Sequence, residues 1–268
     1  MNRRRSTALV TASALFASIS LSSCSTFNRN DLAAKVGDRS LTAKEVEALA
    51  ATGGAAAAGD ALRQELTTWI RVAVLESSSR TAAPTTPLTT GDLDTRLTKA
   101  VAEIGRGTAR SVYEKGLAGS PLICLAAISV ASIDDANTAL SALQSGTSFA
   151  DGARQFSTDG AKDSGGVVTD SNGNECLDPT TASINPAVLT ALKGIPVGQP
   201  IALDLGTFSA VLMLRPYDEL RPESQNAIAS ATVTQSQLDG IVDAADIYVD
   251  PRYGRWEATS ASVVTLNS

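Results

Sequence analysis

Apolar residues along the first third of the chain recur with a helical period. Leu62, Leu66, Trp69, Ile70 and Ala73 stand at i, i+4, i+7, i+8 and i+11, one face of a helix. Leu93, Leu97, Val101 and Ile104 form a second such stripe, and both faces are expected to be core. Ahead of them, Ala33 to Arg39 reads as a brief strand. Thr42-Ala43-Lys44-Glu45 is a capping box that opens a helix with Val46 and Leu49 inward. Residues 52–59 are rich in Gly and Ala and read as a loop or frayed helix start, and the Thr/Pro-rich stretch Thr81 to Thr90 interrupts the helices.

The pattern changes at Pro121. Leu122 to Val130 is a nearly continuous apolar run, short enough for a buried strand. Ser132 then caps a helix carrying Ala136, Leu140 and Leu143 and stopped by Gly146; Ser148 caps a shorter one through Phe149 and Phe156. Residues 157–183 are polar and read as a long loop. Pro186 to Lys193 predicts a helix ended by Gly194, and Ile201 to Leu203 and Phe208 to Leu214 predict strands joined through Gly206. A helix starting near Pro222, the apolar Ile247-Tyr248-Val249 and the turn-rich Asp250 to Trp256 complete the chain, which has no internal repeat.

The N-terminus reads as an address. Arg3, Arg4 and Arg5 precede an uncharged run, Ser6 to Leu21, that is too short and too rich in Ser and Thr for a membrane span. The ending Leu21-Ser22-Ser23-Cys24 resembles a bacterial lipobox. Residues 1–23 are expected to be a lipoprotein signal peptide, Cys24 the lipidated first residue, and 24–32 a tether; several acyl chains suffice for stable anchoring. Loss of the three arginines takes the net charge from −6 to −9.

Composition narrows the chemistry. The chain of 268 residues has no histidine and three cysteines, which excludes imidazole catalysis, His-ligated metal and Cys₄ sites. With 22 basic against 28 acidic residues it has no electrostatic grip on nucleic acid. Gly53-Gly54 and Gly165-Gly166 are not followed by Gly-Lys-Ser/Thr, so neither makes a phosphate loop. Asp134 and Asp135 sit in a first helical turn and read as dipole complement rather than paired catalytic carboxylates. No cofactor is expected. Cys124 and Cys176, left after processing and 52 positions apart, read as a disulfide in an oxidising compartment, the other reading being two buried thiols. Closing such a loop stabilises by roughly 4 kcal/mol in the chain-entropy model.

The central order of pieces is more specific than any one of them. A strand and capped helix lead to Gly146-Thr147-Ser148-Phe149-Ala150, then Phe156-Ser157-Thr158-Asp159, Gly165-Gly166, and Leu192-Lys193-Gly194 running into Pro196-Val197-Gly198. This succession resembles a parvulin-type peptidyl-prolyl isomerase domain. The flanks, with Lys35-Val36-Gly37-Asp38, resemble SurA/PrsA-type foldases, and Asp250 to Trp256 is similar to the closing motif of actinobacterial lipoproteins of that kind. The resemblance implies an α+β fold in which a parvulin-like domain, a four-stranded antiparallel sheet with helices, spans 121–216. It would be inserted between a mainly helical SurA-N-like chaperone region, 33–120, and a C-terminal helix and tail, 217–268, that complete it. It also implies a cysteine at the first strand and one beyond the Gly-Gly loop.

Parvulin sites combine two histidines, a loop cysteine or aspartate, and an apolar proline pocket. Carried over, the first histidine falls on Ala127 and the second on Phe208 or Ala210; the loop acid survives as Asp159, the one catalytic candidate, and the pocket falls on Ile184 and Asn185. A loop Asp in Ser-x-Asp-Gly is also ordinary turn chemistry. Peptide rotation has a barrier of roughly 20 kcal/mol and needs a pocket complementary to the twisted amide, not a nucleophile. Loss of the histidines removes most of that preorganisation. The expected function is a membrane-anchored extracytoplasmic chaperone that holds unfolded or nascent secreted polypeptides against apolar helical surface around Trp69 and Leu97, with an inactive isomerase domain. The alternatives are a working prolyl isomerase with a rearranged site and a non-catalytic envelope scaffold for one partner.

Overall fold

A computed structural model describes residues 31–52, 59–80, 88–180 and 184–266. The expected signal segment, Cys24, most of the tether, Gly53-Gly54 and most of the Thr/Pro-rich stretch lie outside the described residues. Among the described residues no helix is long and apolar enough to cross a membrane.

The chain starts with a hairpin, β1 (Leu32–Val36) and β2 (Arg39–Thr42), turned at Gly37, whose φ of +54° favours glycine. The sequence pattern predicts one strand here; β2 is hidden because its four residues lie between the turn signal and the next helix cap. Helix α1 (Ala43–Thr52) opens with the expected box. The Thr42 N–H donates to Glu45 Oε2 at 2.7 Å, and the Glu45 N–H to Thr42 Oγ1 at 3.3 Å. Helix α2 (Gly59–Ser78) buries Leu66, Trp69, Ile70 and Ala73 as the period requires.

Helix α3 (Thr90–Tyr113) departs from expectation. Leu93 is fully buried, but Leu97, Val101 and Ile104 are only half-buried, and the deep line is Ala102, Gly105, Ala109 and Tyr113. The cause is α7 (Pro222–Thr232), which packs so close that a Cβ on Gly105 would lie 1.9 Å from the Ala229 carbonyl oxygen. Small residues let two helix backbones approach; a ridge of Leu and Ile would hold them apart. The expected helix beyond Pro222 is two helices, because Thr234 and Gln237 form a new capping box that starts α8 (Gln235–Asp243). Strand β7 (Ile247–Val249) then pairs antiparallel with β1, giving the order β2-β1-β7. A last hairpin, β8 (Arg255–Glu257) and β9 (Ser262–Val264), lies on α2, where the Val263 N–H donates to Thr67 Oγ1 at 2.9 Å. The first hairpin therefore shares a sheet with β7, and one apolar cluster spans both and the β8–β9 hairpin.

Between them stands an α+β unit. Strands β3 (Ile123–Val130), β4 (Cys176–Leu177), β5 (Ile201–Asp204) and β6 (Ser209–Leu214) form a four-stranded antiparallel sheet in the order β4-β3-β6-β5. Helices α4 (Ile133–Gln144) and α5 (Phe149–Phe156) cover one face, against Ile128, Val130 and Val211. Helix α6 (Pro186–Leu192) covers part of the other, against Leu125, Ala210 and Leu212. Strand β6 is buried along its whole length, which is why its sequence is apolar without alternation. The polar stretch 157–183, expected as loop throughout, contributes β4. That strand is two residues long and pairs Cys176 directly opposite Cys124, where the two are joined in a disulfide.

Candidate functional site

The sheet face under α6 is only partly covered. Alternation along β3 directs Leu125, Ala127 and Ser129 to this face, and along β6 Ala210 and Leu212; with loops 159–171 and 184–188 they enclose a cleft of about 910 Å³. Ala127, Ala210, Phe208, Asp159, Ile184 and Asn185 all line it. The sequence leaves the second histidine position between Phe208 and Ala210, and strand parity puts both on the cleft face. Ala210 is 1% exposed, inside the sheet between Ser129 and Leu203, whereas Phe208 is 42% exposed at the mouth.

The local sequence explains the walls. Gly166, with φ +86°, accepts from the Ala127 N–H through its carbonyl at 2.8 Å, so the loop lies against the strand. A Cβ there would stand 2.8 Å from the Phe149 ring and 3.1 Å from the Ala127 oxygen; no residue but glycine fits. Asn185 caps α6, accepting from the Ala187 N–H at 2.9 Å, and Ile184 packs on the apolar cluster beneath that helix.

Asp159 is held as a structural acid. Its Oδ1 accepts from the Ala161 N–H and from Ser157 Oγ, both at 2.9 Å, and it caps the 3₁₀ turn Gly160–Lys162. The loop is tied to β3 by the Thr158 N–H on the Ser129 carbonyl at 2.8 Å and the Ser129 N–H on Ser157 Oγ at 3.1 Å. Partial desolvation pulls the Asp159 carboxyl up, but hydrogen bonds from Ser129, Ala161 and Ser157 outweigh it and hold the group below the ordinary carboxylate range. It is ionised at neutral pH and engaged by donors of its own loop. Ser129, the one polar residue in the run Leu122 to Val130, carries much of this network. Its solitude in an apolar strand is the sequence signal for it.

Cys176 is preceded by the buried Glu175, a residue that no local pattern in the sequence singles out. It accepts from Arg215 at 2.9 Å, Arg221 at 2.8 Å and Ser224 at 3.3 Å, joining the β4 end, β6 and α7. Burial raises its pKa, but the two guanidiniums prevail and hold it below its usual value. Tyr113 of α3 donates to the Arg215 carbonyl at 2.8 Å; burial pushes its phenol up.

The helical surface expected to receive clients is closed at Trp69, which is 4% exposed within the core, and Leu97 is half-buried against the same cluster. What stays open is a different groove of about 720 Å³, bounded by Val74 of α2, Ile104 of α3, Ile241 of α8 and Ala244 just beyond it. The stripes are spent on packing because α2 is enclosed by β1, α3, α8 and β9.

No family model matches the chain, and no curated protein matches it. Several solved structures are loosely similar. The foldase protein PrsA from Streptococcus pneumoniae superposes with a TM-score of 0.32 at 14% identity, over 77% of this chain and 89% of that one. PrsA from Bacillus subtilis gives 0.32 at 14% over 82% and 95%, and the peptidylprolyl isomerase PrsA from Bacillus anthracis 0.30 at 16% over 75% and 94%. Likeness at that level bears on neither fold nor activity.

Proposed function

We propose that the protein is an extracytoplasmic chaperone-like lipoprotein, anchored through Cys24, whose parvulin-like central domain (121–216) binds polypeptide without isomerising it. The flanking regions 33–120 and 217–268 form the companion chaperone unit. One observation carries this reading: the cleft where the parvulin resemblance calls for two histidines is floored instead by Ala127 and Ala210, and Asp159, its one candidate catalytic group, is occupied by its own loop. A cleft with an apolar floor, no imidazole and its catalytic candidate held by its own loop binds chain and leaves the rotational barrier where it was. Ile184 and Asn185 supply an aliphatic wall and a helix cap rather than an aromatic floor.

Two measurements decide it. Protease-coupled isomerisation of an Ala-Pro peptide is expected to proceed at the uncatalysed rate at any protein concentration. A rate that rises with protein and drops for Asp159→Ala would establish the working-isomerase alternative. Light scattering of a model unfolded protein is expected to be suppressed at stoichiometric excess; unchanged scattering refutes the chaperone reading. The intact mass of membrane-extracted protein, with and without reductant, tests the acyl chains on Cys24.

A further inference from the structure

The charge around the cleft says what kind of chain it takes. Its lining side chains are apolar below, with Leu125, Leu177, Val188 and Leu212, and polar above. The charged lining residues are Asp159 and Asp170; no lysine or arginine is among the lining residues. Lys162 and Asp163, exposed on the adjoining turn and offsetting one another, do not line it. Asp170 is fixed as firmly as Asp159: it accepts from the N–H groups of Asn172 at 2.8 Å and Asn174 at 2.9 Å and from Asn174 Nδ2 at 2.8 Å. The Asn174 side chain first, then these backbone donors, keep its carboxyl below the ordinary range. The rim therefore carries two immobile negative charges above an apolar floor, on a chain that is itself acidic, with net charge −6.

We propose that the cleft selects segments of unfolded polypeptide in which a lysine or arginine stands next to an apolar residue, the cation held at the rim while the apolar side chain enters. This rests on the polypeptide-binding reading above and adds the class of segment. A space of about 910 Å³ accommodates an apolar side chain with its flanking backbone. Because each carboxylate is held in place by donors of its own loop, Asp159 through Oδ1 and Asp170 through both oxygens, the pair acts first as a fixed potential. Such a potential discriminates by attraction and by repulsion, so anionic segments are turned away.

The test uses the whole protein and two short labelled peptides with one common apolar centre, flanked by lysines in one and by glutamates in the other. Fluorescence anisotropy is expected to show the lysine peptide bound about five- to tenfold more tightly at low salt, with the gap narrowing at physiological salt. In the Asp159→Asn/Asp170→Asn double variant, which keeps the acceptor oxygens, the gap is expected to close; Asp170→Asn alone, away from the β3-anchored loop, is expected to narrow it. The methyl resonances of Ala127 and Ala210 are expected to shift on titration with the lysine peptide. Equal binding of both peptides with those methyls still shifting overturns the cation preference while the apolar site stands. A gap that survives the double variant overturns its assignment to these two acids. No binding, or shifts confined elsewhere, overturns both this inference and the reading beneath it.

Discussion

The cleft acids of the central unit and the buried Glu76 of the outer unit are satisfied in opposite ways. In the central sheet unit the cleft acids are served by neighbours. Asp159 is met by Ser157 and Ala161, Asp170 by Asn172 and Asn174, all within four residues. In the unit built from the chain's two ends, Glu76 is 3% exposed in α2, and its partners come from afar. Arg96 of α3 donates from Nε at 2.7 Å and Nη2 at 2.6 Å, and Arg39 of β2 closes the other side. One arrangement makes a fixed charge at a surface and is available for recognition; the other locks three elements together and is not. A buried carboxylate is tolerable only with partners in place, so removing one side leaves uncompensated charge.

The contrast is breakable by experiment. Glu76→Ala strands the partly buried guanidiniums of Arg39 and Arg96 and is expected to lower stability by up to about 3 kcal/mol. Urea unfolding reads the loss, and hydrogen exchange should show the β1–β2–β7 sheet opening before the central one; a loss under about 1 kcal/mol would contradict the locking role. Replacing both Cys124 and Cys176 by Ser is expected to cost up to roughly 4 kcal/mol, this time with β3 and β4 losing protection first. If the terminal sheet opens first in both variants, the two regions are one cooperative unit and the comparison is only spatial.

Gly105→Ala drives a methyl into the Ala229 carbonyl, with an expected cost of about 1–3 kcal/mol as α3 and α7 separate. An unchanged midpoint would mean the helices slide apart without cost. Asp159→Ala removes a turn cap and is expected to cost about 1 kcal/mol while leaving isomerisation at the uncatalysed rate. The pH profile sharpens the same point. Asp159, Asp170 and Glu175 all have folded pKa values below their ordinary ones, so their contribution is complete above the unfolded values and is lost as pH falls through the folded ones. Stability should be flat near neutrality and decline below about pH 4, and less steeply in the Asp159→Asn/Asp170→Asn variant.

Much of the central unit was legible because its signals are short. Ser132, Ser148 and Pro186 start helices at the positions their caps dictate, and Gly165-Gly166 marks a place where a loop lies against β3. Part of the candidate site was legible as residue positions, since strand parity puts Phe208 and Ala210 on one face; the β3–β6 register adds Ala127 to it. That they share a cleft with Asp159, Ile184 and Asn185 was given only by the resemblance to parvulin domains, because loop 157–183 has no periodicity to aim it.

Local chemistry, then, determined the helix starts and stops, the buried strand at Leu122 to Val130 and the absence of imidazole chemistry, since each depends on residues within a turn of one another or on composition alone. The tertiary structure decided the rest: β2 and β4, the replacement of the Leu97–Ile104 ridge by a glycine and alanine seam, the closing of the Trp69 face, and the partners of Glu76 and Glu175. These depend on which distant segment arrives, and a strand of two residues or a buried carboxylate acquires its free energy only from that arrival.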